Sequence, residues 1–272
     1  MSGILLIGTD GGKRRFYFEQ AAAEAGLPVV FLDWKDVPNM GHEEGFCPEN
    51  PEEPGRKRFE EKLRMLLQIE DLQRFAVKID APAWGSSRLC DLGSLTGRYE
   101  EQLRRLSGLP AGGFLNRPPE IAQVLDKRGC KARLAQSGVP VTHMYEEHFS
   151  CGEELFDFLR EHRITQVFVK PVKGSGAAGV TALRFSPGNG RIALYTCAAL
   201  KEGALYNTRR MYRLEGRKAE VFLDSLLKLD CVVERWYGKA SFEGYCYDLR
   251  VIVQAGRIDY ILPRLSKGPI TN

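Results

Sequence analysis

Residues 167–180 read VFVKPVKGSGAAGV, and the fold turns on how this stretch is read. Val167 and Val169 alternate along a strand-like run that ends at Lys170, and Pro171 follows, stopping the strand and setting the direction in which the ammonium projects. Lys173, Gly174, Ser175, Gly176, Ala177, Ala178 and Gly179 come next. These residues are small enough for backbone N–H groups to approach an anion closely. Val180 to Phe185 returns as a strand. The unit is therefore strand, small-residue loop, antiparallel strand, with lysines at its entry, and it suits covering a polyphosphate while excluding water. A plain β-hairpin with a flexible tip fits the same stretch, so the flanking segments have to separate the two.

Upstream, Asn116-Arg117-Pro118-Pro119 has the form of a helix cap followed by proline, with Ile121, Val124 and Leu125 on one face. Asp126 can cap a second helix, Lys127 to Gln136, which Gly138 and Pro140 end. A third, Glu153 to His162, precedes the β-branched and aromatic run Thr165 to Lys170. Leu109-Pro110-Ala111-Gly112-Gly113 breaks the chain, and a domain boundary is placed there. Before it, Ile4 to Ile7, a glycine turn, a helix over Arg15 to Ala25 and a strand over Val29 to Leu32 make a βαβ start, predicting an open parallel sheet. His42 to Pro54 is a loop by composition; Arg56 to Phe75 has helical periodicity through Phe59, Leu63, Leu66 and Leu67; Phe75 to Ile79 is a further strand. The turn GTDGGK after the first strand is one residue short of P-loop spacing and has Arg14 where Ser or Thr should stand, and it lacks GxGxxG. Its glycines are read as a tight turn.

The chain of 272 residues, 43% hydrophobic and 27% charged, is long enough for two or three lobes. Its net charge of +4 is far from the balance expected of a nucleic-acid binder. The seven cysteines include no CxxC pair, so neither a disulfide framework nor a zinc ribbon is indicated, and a reduced cytoplasm is expected. The N-terminal apolar run is too short for a signal peptide or a membrane span.

Five segments in order, NRPPEIAQVLDKRGCKARLAQSGVPV, VFVKPVKGSGAAGV, CVVERWYG, YDLRVIVQAG and RLSKGPITN, resemble the ATP-grasp superfamily. The likeness is to the branch with glutathione synthetase and the ligases that add glutamate to peptides. It covers roughly residues 114–272. The resemblance implies an α/β grasp fold: a parallel α/β lobe over residues 1–113, a small subdomain with the phosphate loop over 114–185, and part of a large subdomain over 186–272, with antiparallel sheets. It implies that Lys170 contacts the α- and β-phosphates of ATP, and that Gly174 to Gly179, with Lys173 and Ser175, closes over the γ-phosphate. Lys127 lies near the nucleotide or is simply an exposed helix residue. Glu234, Arg235 and Trp236 lie at a hinge whose backbone holds the adenine edge, although Glu234 could instead pair with Arg235 or a lysine. Asp248 and Arg250 face the nucleotide or the reacting acid, or form an ion pair across one strand face. Arg264 and Asn272 sit near substrate. Arg250 and Arg264 are thus the catalytic candidates, supplying positive charge to a transferred phosphoryl group together with Lys170 and Mg2+.

The implied reaction is phosphorylation of a small-molecule or peptide carboxylate and attack by an amine. It needs no Ser/His/Asp triad, so His42, His143, His148 and His162 are given no catalytic role. The family's magnesium carboxylates have no counterpart in this sequence, and Mg2+ ligands are expected in a missing C-terminal segment of a truncated chain. A non-catalytic nucleotide- or partner-binding scaffold with a degenerate grasp fold is the alternative. The basic run Arg209, Arg210, Arg213, Arg217 and Lys218 is read as a solvated face.

Overall fold

The structure is a computed structural model that describes residues 3–37, 54–83 and 86–271. It divides into two compact units, Met1–Gly85 with Ser94–Leu125, and Ser86–Gly93 with Asp126–Asn272.

The first unit contains β1 (Gly3–Gly8), α1 (Lys13–Glu24), β2 (Val29–Asp33), α2 (Pro54–Leu67), β3 (Phe75–Ile79), α3 (Leu92–Leu106, whose first two residues belong to the second unit), β4 (Gly113–Phe114) and α4 (Pro118–Leu125). Its four-stranded sheet has the order β2-β1-β3-β4, and every pairing is parallel. β1, buried along its whole length, occupies a central position, as a continuous apolar run in a parallel sheet should. Leu5, Ile7, Val77 and Ile79 meet Leu63 of α2 and Tyr99, Leu103 and Leu106 of α3 in one core.

Several elements differ from expectation for local reasons. The α2 helix was expected to run to Phe75 but stops at Leu67, because Gln68 takes φ 53° and Asp71 accepts a 2.9 Å bond from the Gln73 N–H to start a 3-10 turn. Leu66 faces solvent and Leu67 is half-buried. Asn116 does not cap α4. Its side chain instead brackets Ile79 at the end of β3, accepting from the Ile79 N–H at 2.8 Å and donating to its carbonyl at 2.5 Å. The loop expected over His42 to Pro54, the Phe59 side chain and Asn272 fall outside the described residues. Among those residues no helix is long and apolar enough to cross a membrane.

The second unit contains α5 (Lys127–Gln136), β5 (Met144–Tyr145), α6 (Gly152–Glu161), β6 (Gln166–Pro171), β7 (Thr181–Phe185), β8 (Ile192–Lys201), β9 (Ala204–Glu215), α7 (Gly216–Leu227), β10 (Cys231–Arg235), β11 (Ser241–Phe242), β12 (Tyr245–Gln254) and β13 (Arg257–Ser266). Six strands in the order β5-β10-β6-β7-β8-β9 form one antiparallel sheet; β11-β12-β13 form a second. Period-two alternation sorts the large sheet into two faces. Val167, Val169, Leu183, Phe185, Leu194 and Val233 pack with Leu155 and Leu159 of α6 and with Ala219, Phe222, Leu223 and Leu226 of α7. The intervening residues Phe168, Lys170, Ala182, Tyr195 and Glu234 belong to the opposite face.

The boundary lies at Leu125/Asp126 rather than after Gly113, because α4 packs Ile121, Ala122 and Leu125 onto the first unit's core. No break falls at 185/186, where β7 and β8 pair over five registers of the same sheet.

Candidate functional site

The glycine loop leaves β6 at Pro171 and returns to β7 at Thr181, and the two strands pair antiparallel. Its glycines are required by geometry. Gly179 has φ +68°, and a Cβ there would stand 2.8 Å from Pro171 Cγ and 2.9 Å from Leu89 Cδ1. Gly174 has φ +110° and would press on Leu92 Cδ1 at 3.0 Å. Gly176, at φ +62°, faces open space. Ala177 itself takes φ 58°, a left-handed position in the turn closed by the Ala178 N–H donating to the Ser175 carbonyl.

Where β6 meets the loop, three lysines gather around one acid. The Glu234 carboxylate, 4% exposed, accepts from Lys170 Nζ at 2.7 Å and Thr142 Oγ1 at 3.1 Å, and lies 3.0 Å from Lys131 Nζ. Lys131 also donates to the Thr142 carbonyl at 2.8 Å. Lys127 Nζ donates to the carbonyls of Gly174 at 2.8 Å and Val172 at 3.3 Å. Lys127 and Lys131 share a face because they are one helical turn apart in α5. Asp126 caps that helix through the Gly129 N–H at 2.9 Å and lies 3.7 Å from Lys173 Nζ.

Burial acts to raise the Glu234 pKa, but Lys170 and Lys131 outweigh it and hold the group below its ordinary range. Burial lowers Lys131, with Glu234 opposing the fall. Burial, reinforced by the nearby Lys170 charge, takes Lys127 down to about 8. A partly buried cluster with an excess of cations, beside a loop exposed at Ser175 and Gly176, has the chemistry to receive an anion.

The hinge residues are placed differently from expectation. Glu234 is the counter-ion of Lys170 and Lys131, not a partner of Arg235. Two of the hinge's backbone groups are already engaged: the Arg235 N–H donates to the His143 carbonyl at 2.9 Å, and the Trp236 carbonyl accepts from Gln166 Nε2 at 3.2 Å. The Arg235 guanidinium lies over the Tyr237 ring. Trp236 is buried with Ala182, Cys197 and Ile270, its ring 5.2 Å from Phe168, and Arg184 covers it at 5.2 Å.

A second polar cluster sits on the smaller sheet. Asp248 is opposite Arg264 in the ladder and accepts from its Nε at 2.7 Å, from Lys239 Nζ at 3.1 Å and from Thr271 Oγ1. Desolvation acts upward on Asp248, yet the bonds from Thr271, Arg264 and Lys239 hold it down to about 2. Asp248 therefore pairs across the strands rather than with Arg250, which is exposed opposite Leu262. The two clusters are joined through adjacent residues: Ile270 packs with Trp236, and Thr271 accepts from Lys239 at 2.7 Å. Of the basic run, Arg213 pairs with Glu215 and Arg217 with Glu220, while Arg210 and Lys218 are exposed; the Arg209 side chain is outside the described residues.

Lys131 and Thr142 were missed from sequence. The i, i+4 spacing of Lys131 from Lys127 was a usable signal; Thr142 meets Glu234 only through the fold.

No protein-family model matches the chain, and no curated protein matches it in sequence. Solved structures do. The chain is similar to the ATP-grasp ligase PsnB complexed with minimal precursor, Mg and ADP, at 14% identity and a TM-score of 0.51, over 97% of this chain and 71% of that one. It is also similar to a RiPP-associated ATP-grasp ligase of Chryseobacterium gregarium in complex with ADP and a leader and core peptide (14% identity, TM-score 0.46, 92% and 65%). D-alanyl-alanine synthetase A from Vibrio cholerae is a further match (11% identity, TM-score 0.43, 98% and 68%). The likeness is one of fold: mixed α/β, a parallel sheet followed by antiparallel sheets, as in ATP-grasp ligases.

Proposed function

We propose that the second unit binds ATP and that the protein is an ATP-dependent carboxylate–amine ligase. The observation that carries this is the convergence of Lys127, Lys131 and Lys170 with the Lys173–Gly179 loop on one end of the large sheet. The fold, shared with an ADP- and Mg-bound ligase, supports it. Lys170 and Lys131 hold the phosphates by exchanging Glu234 for them, and the loop amides close over the transferred group.

Bound ATP supplies the phosphoryl group that turns a carboxylate into an acyl phosphate, and an amine then displaces phosphate to leave an amide. Arg264 and Arg250 on the smaller sheet face the reacting acid, with Asp248 holding Arg264 in position. Trp236 and Phe168 form an apolar wall for the base. Among the described residues no group of three His, Cys, Asp or Glu side chains comes together. The substrates fit the carboxylate and amine classes, small molecule or peptide.

Calorimetric titration with ATP tests the binding. The wild-type protein should bind, and Lys170→Ala should weaken binding by about tenfold to a hundredfold, since a charge-assisted bond contributes about 1.5–3 kcal/mol. No binding by the wild type, or equal binding by the variant, sinks the proposal. ADP release dependent on both an acid and an amine establishes the ligase reaction over nucleotide binding alone.

A further inference from the structure

We propose that Leu89 and Leu92 are positioning residues for the glycine loop: they form an apolar floor on which the two ends of the loop rest, so that its amides are set for an anion before one arrives. The inference deepens the reading above and rests on it only for what the loop receives.

The floor comes from a distant part of the chain. Ser86–Gly93 belongs to the second unit, although the chain on either side of it belongs to the first. It is held there by β9 and by its own side chains. Arg88 makes an antiparallel bridge with Tyr206, and the Asn207 N–H donates to the Ser87 carbonyl at 2.7 Å. Ser86 Oγ donates to Asp91 Oδ2 at 2.5 Å and accepts from the Arg88 N–H at 3.1 Å, bracketing a 3-10 turn over Leu89–Asp91. Leu89 is 2% exposed and Leu92 8%, and both belong to the core that also holds Ala178 of the loop.

The two leucines meet the loop at its two ends. A Cβ on Gly174, at the entry, would stand 3.0 Å from Leu92 Cδ1, and one on Gly179, at the exit, would stand 2.9 Å from Leu89 Cδ1. Between them, a Cβ on Gly176 would meet nothing within 4 Å, and Ser175 and Gly176 are exposed. The loop is thus seated at its roots and open at its crest. Contact with leucine is dispersive, so it fixes the backbone without occupying the N–H donors that an anion needs. A loop already held in its receiving conformation binds more tightly because less ordering is left to the binding step.

Amide hydrogen exchange of the peptide spanning 172–180 in the ligand-free protein, together with calorimetric titration with ATP, tests this at pH 7. Leu155→Ala is the comparison, since Leu155 is fully buried in the same core but lies on α6. In Leu89→Ala and in Leu92→Ala exchange of the loop peptide should be about tenfold faster and ATP affinity about tenfold weaker. Leu155→Ala should lower the melting temperature yet leave both readings at their wild-type values. Wild-type exchange in the Leu89 and Leu92 variants, equal acceleration in Leu155→Ala, or faster exchange with unchanged ATP affinity overturns the proposal. If either alanine variant does not fold, Leu92→Val, one carbon shorter, is combined with Gly174→Ala. Gly174→Ala alone should speed exchange of the loop, and the double variant should recover at least about threefold of the lost protection; strict additivity of the two changes overturns the proposal. Failure of the wild type to bind ATP would sink the functional reading, while the exchange results would still decide whether the leucines seat the loop.

Discussion

Replacing Glu234 by glutamine isolates the electrostatics of the lysine cluster. At an effective dielectric of about 20, a lysine at 2.7 Å and another at 3.0 Å attract the carboxylate by roughly 6 and 5.5 kcal/mol. Desolvation of three charges cancels most of that sum, and what a variant feels is the cost of leaving cations without their partner, about 3–5 kcal/mol for a buried pair. Lys170 and Lys131 keep some solvent access, with side chains 25% and 17% exposed. We therefore expect about 3 kcal/mol, a fall in Tm of roughly 6–12 °C for a protein of this size.

The pH dependence of that loss follows from the depressed Glu234 pKa. The stabilisation is fully present above the ordinary value of 4.5 and is lost as pH falls through the lower folded-state value. Urea unfolding of wild type and Glu234→Gln at pH 7 should thus differ by about 3 kcal/mol, with the gap narrowing as the medium becomes acidic. Since phosphates would supply the missing negative charge, ATP should raise the variant's Tm more than that of the wild type. A pH 7 difference below about 1 kcal/mol, within the range of an exposed pair, refutes the reasoning, as does a gap that does not close in acid.

Two further substitutions probe other parts of the site. Asp248→Asn should cost about 1–2 kcal/mol near neutrality through loss of its charged hydrogen bonds; the wild type's advantage is present above the ordinary value of 3.8 and disappears as pH falls through about 2, which acid titration of unfolding free energies reads directly. Gly176→Ala meets open space and should cost only the backbone strain of a positive φ, about 1–2 kcal/mol, whereas Gly179→Ala adds collisions with Pro171 and Leu89 and should cost at least about 3 kcal/mol. Equal urea midpoints for the two glycine variants would contradict the loop geometry.

Much of this was legible because it is local. The β6 alternation, the Asp126 cap and the α5 bounds follow from neighbours within a few residues. α3 escaped notice because Gly93 and Gly97 interrupt its helical pattern, although Tyr99, Leu103 and Leu106 still line one face. β9 was hidden by polar letters on a two-faced sheet and α7 by the basic run that leads into it, whereas the largely apolar β8 run Ile192–Lys201 was a usable signal. Within the site, Lys170 and the loop could be read from their own stretch, but the partner of Glu234 could not. That acid meets Lys170 across 64 residues, and only the β6–β10 pairing brings them together.

The strict alternation of β6 also makes the strand intolerant of certain insertions. Val167 and Val169 serve the core while Phe168 and Lys170 serve the opposite face, so one extra residue before Lys170 would exchange the two sets and abolish folding and chemistry together. An insertion of two would restore the parity yet carry the ammonium about 7 Å along the strand, away from Glu234. Length changes in lineages of this protein should accordingly be purged within β6, Gln166–Pro171, but accepted at the Ser186–Arg191 turn, where the hairpin ends in solvent.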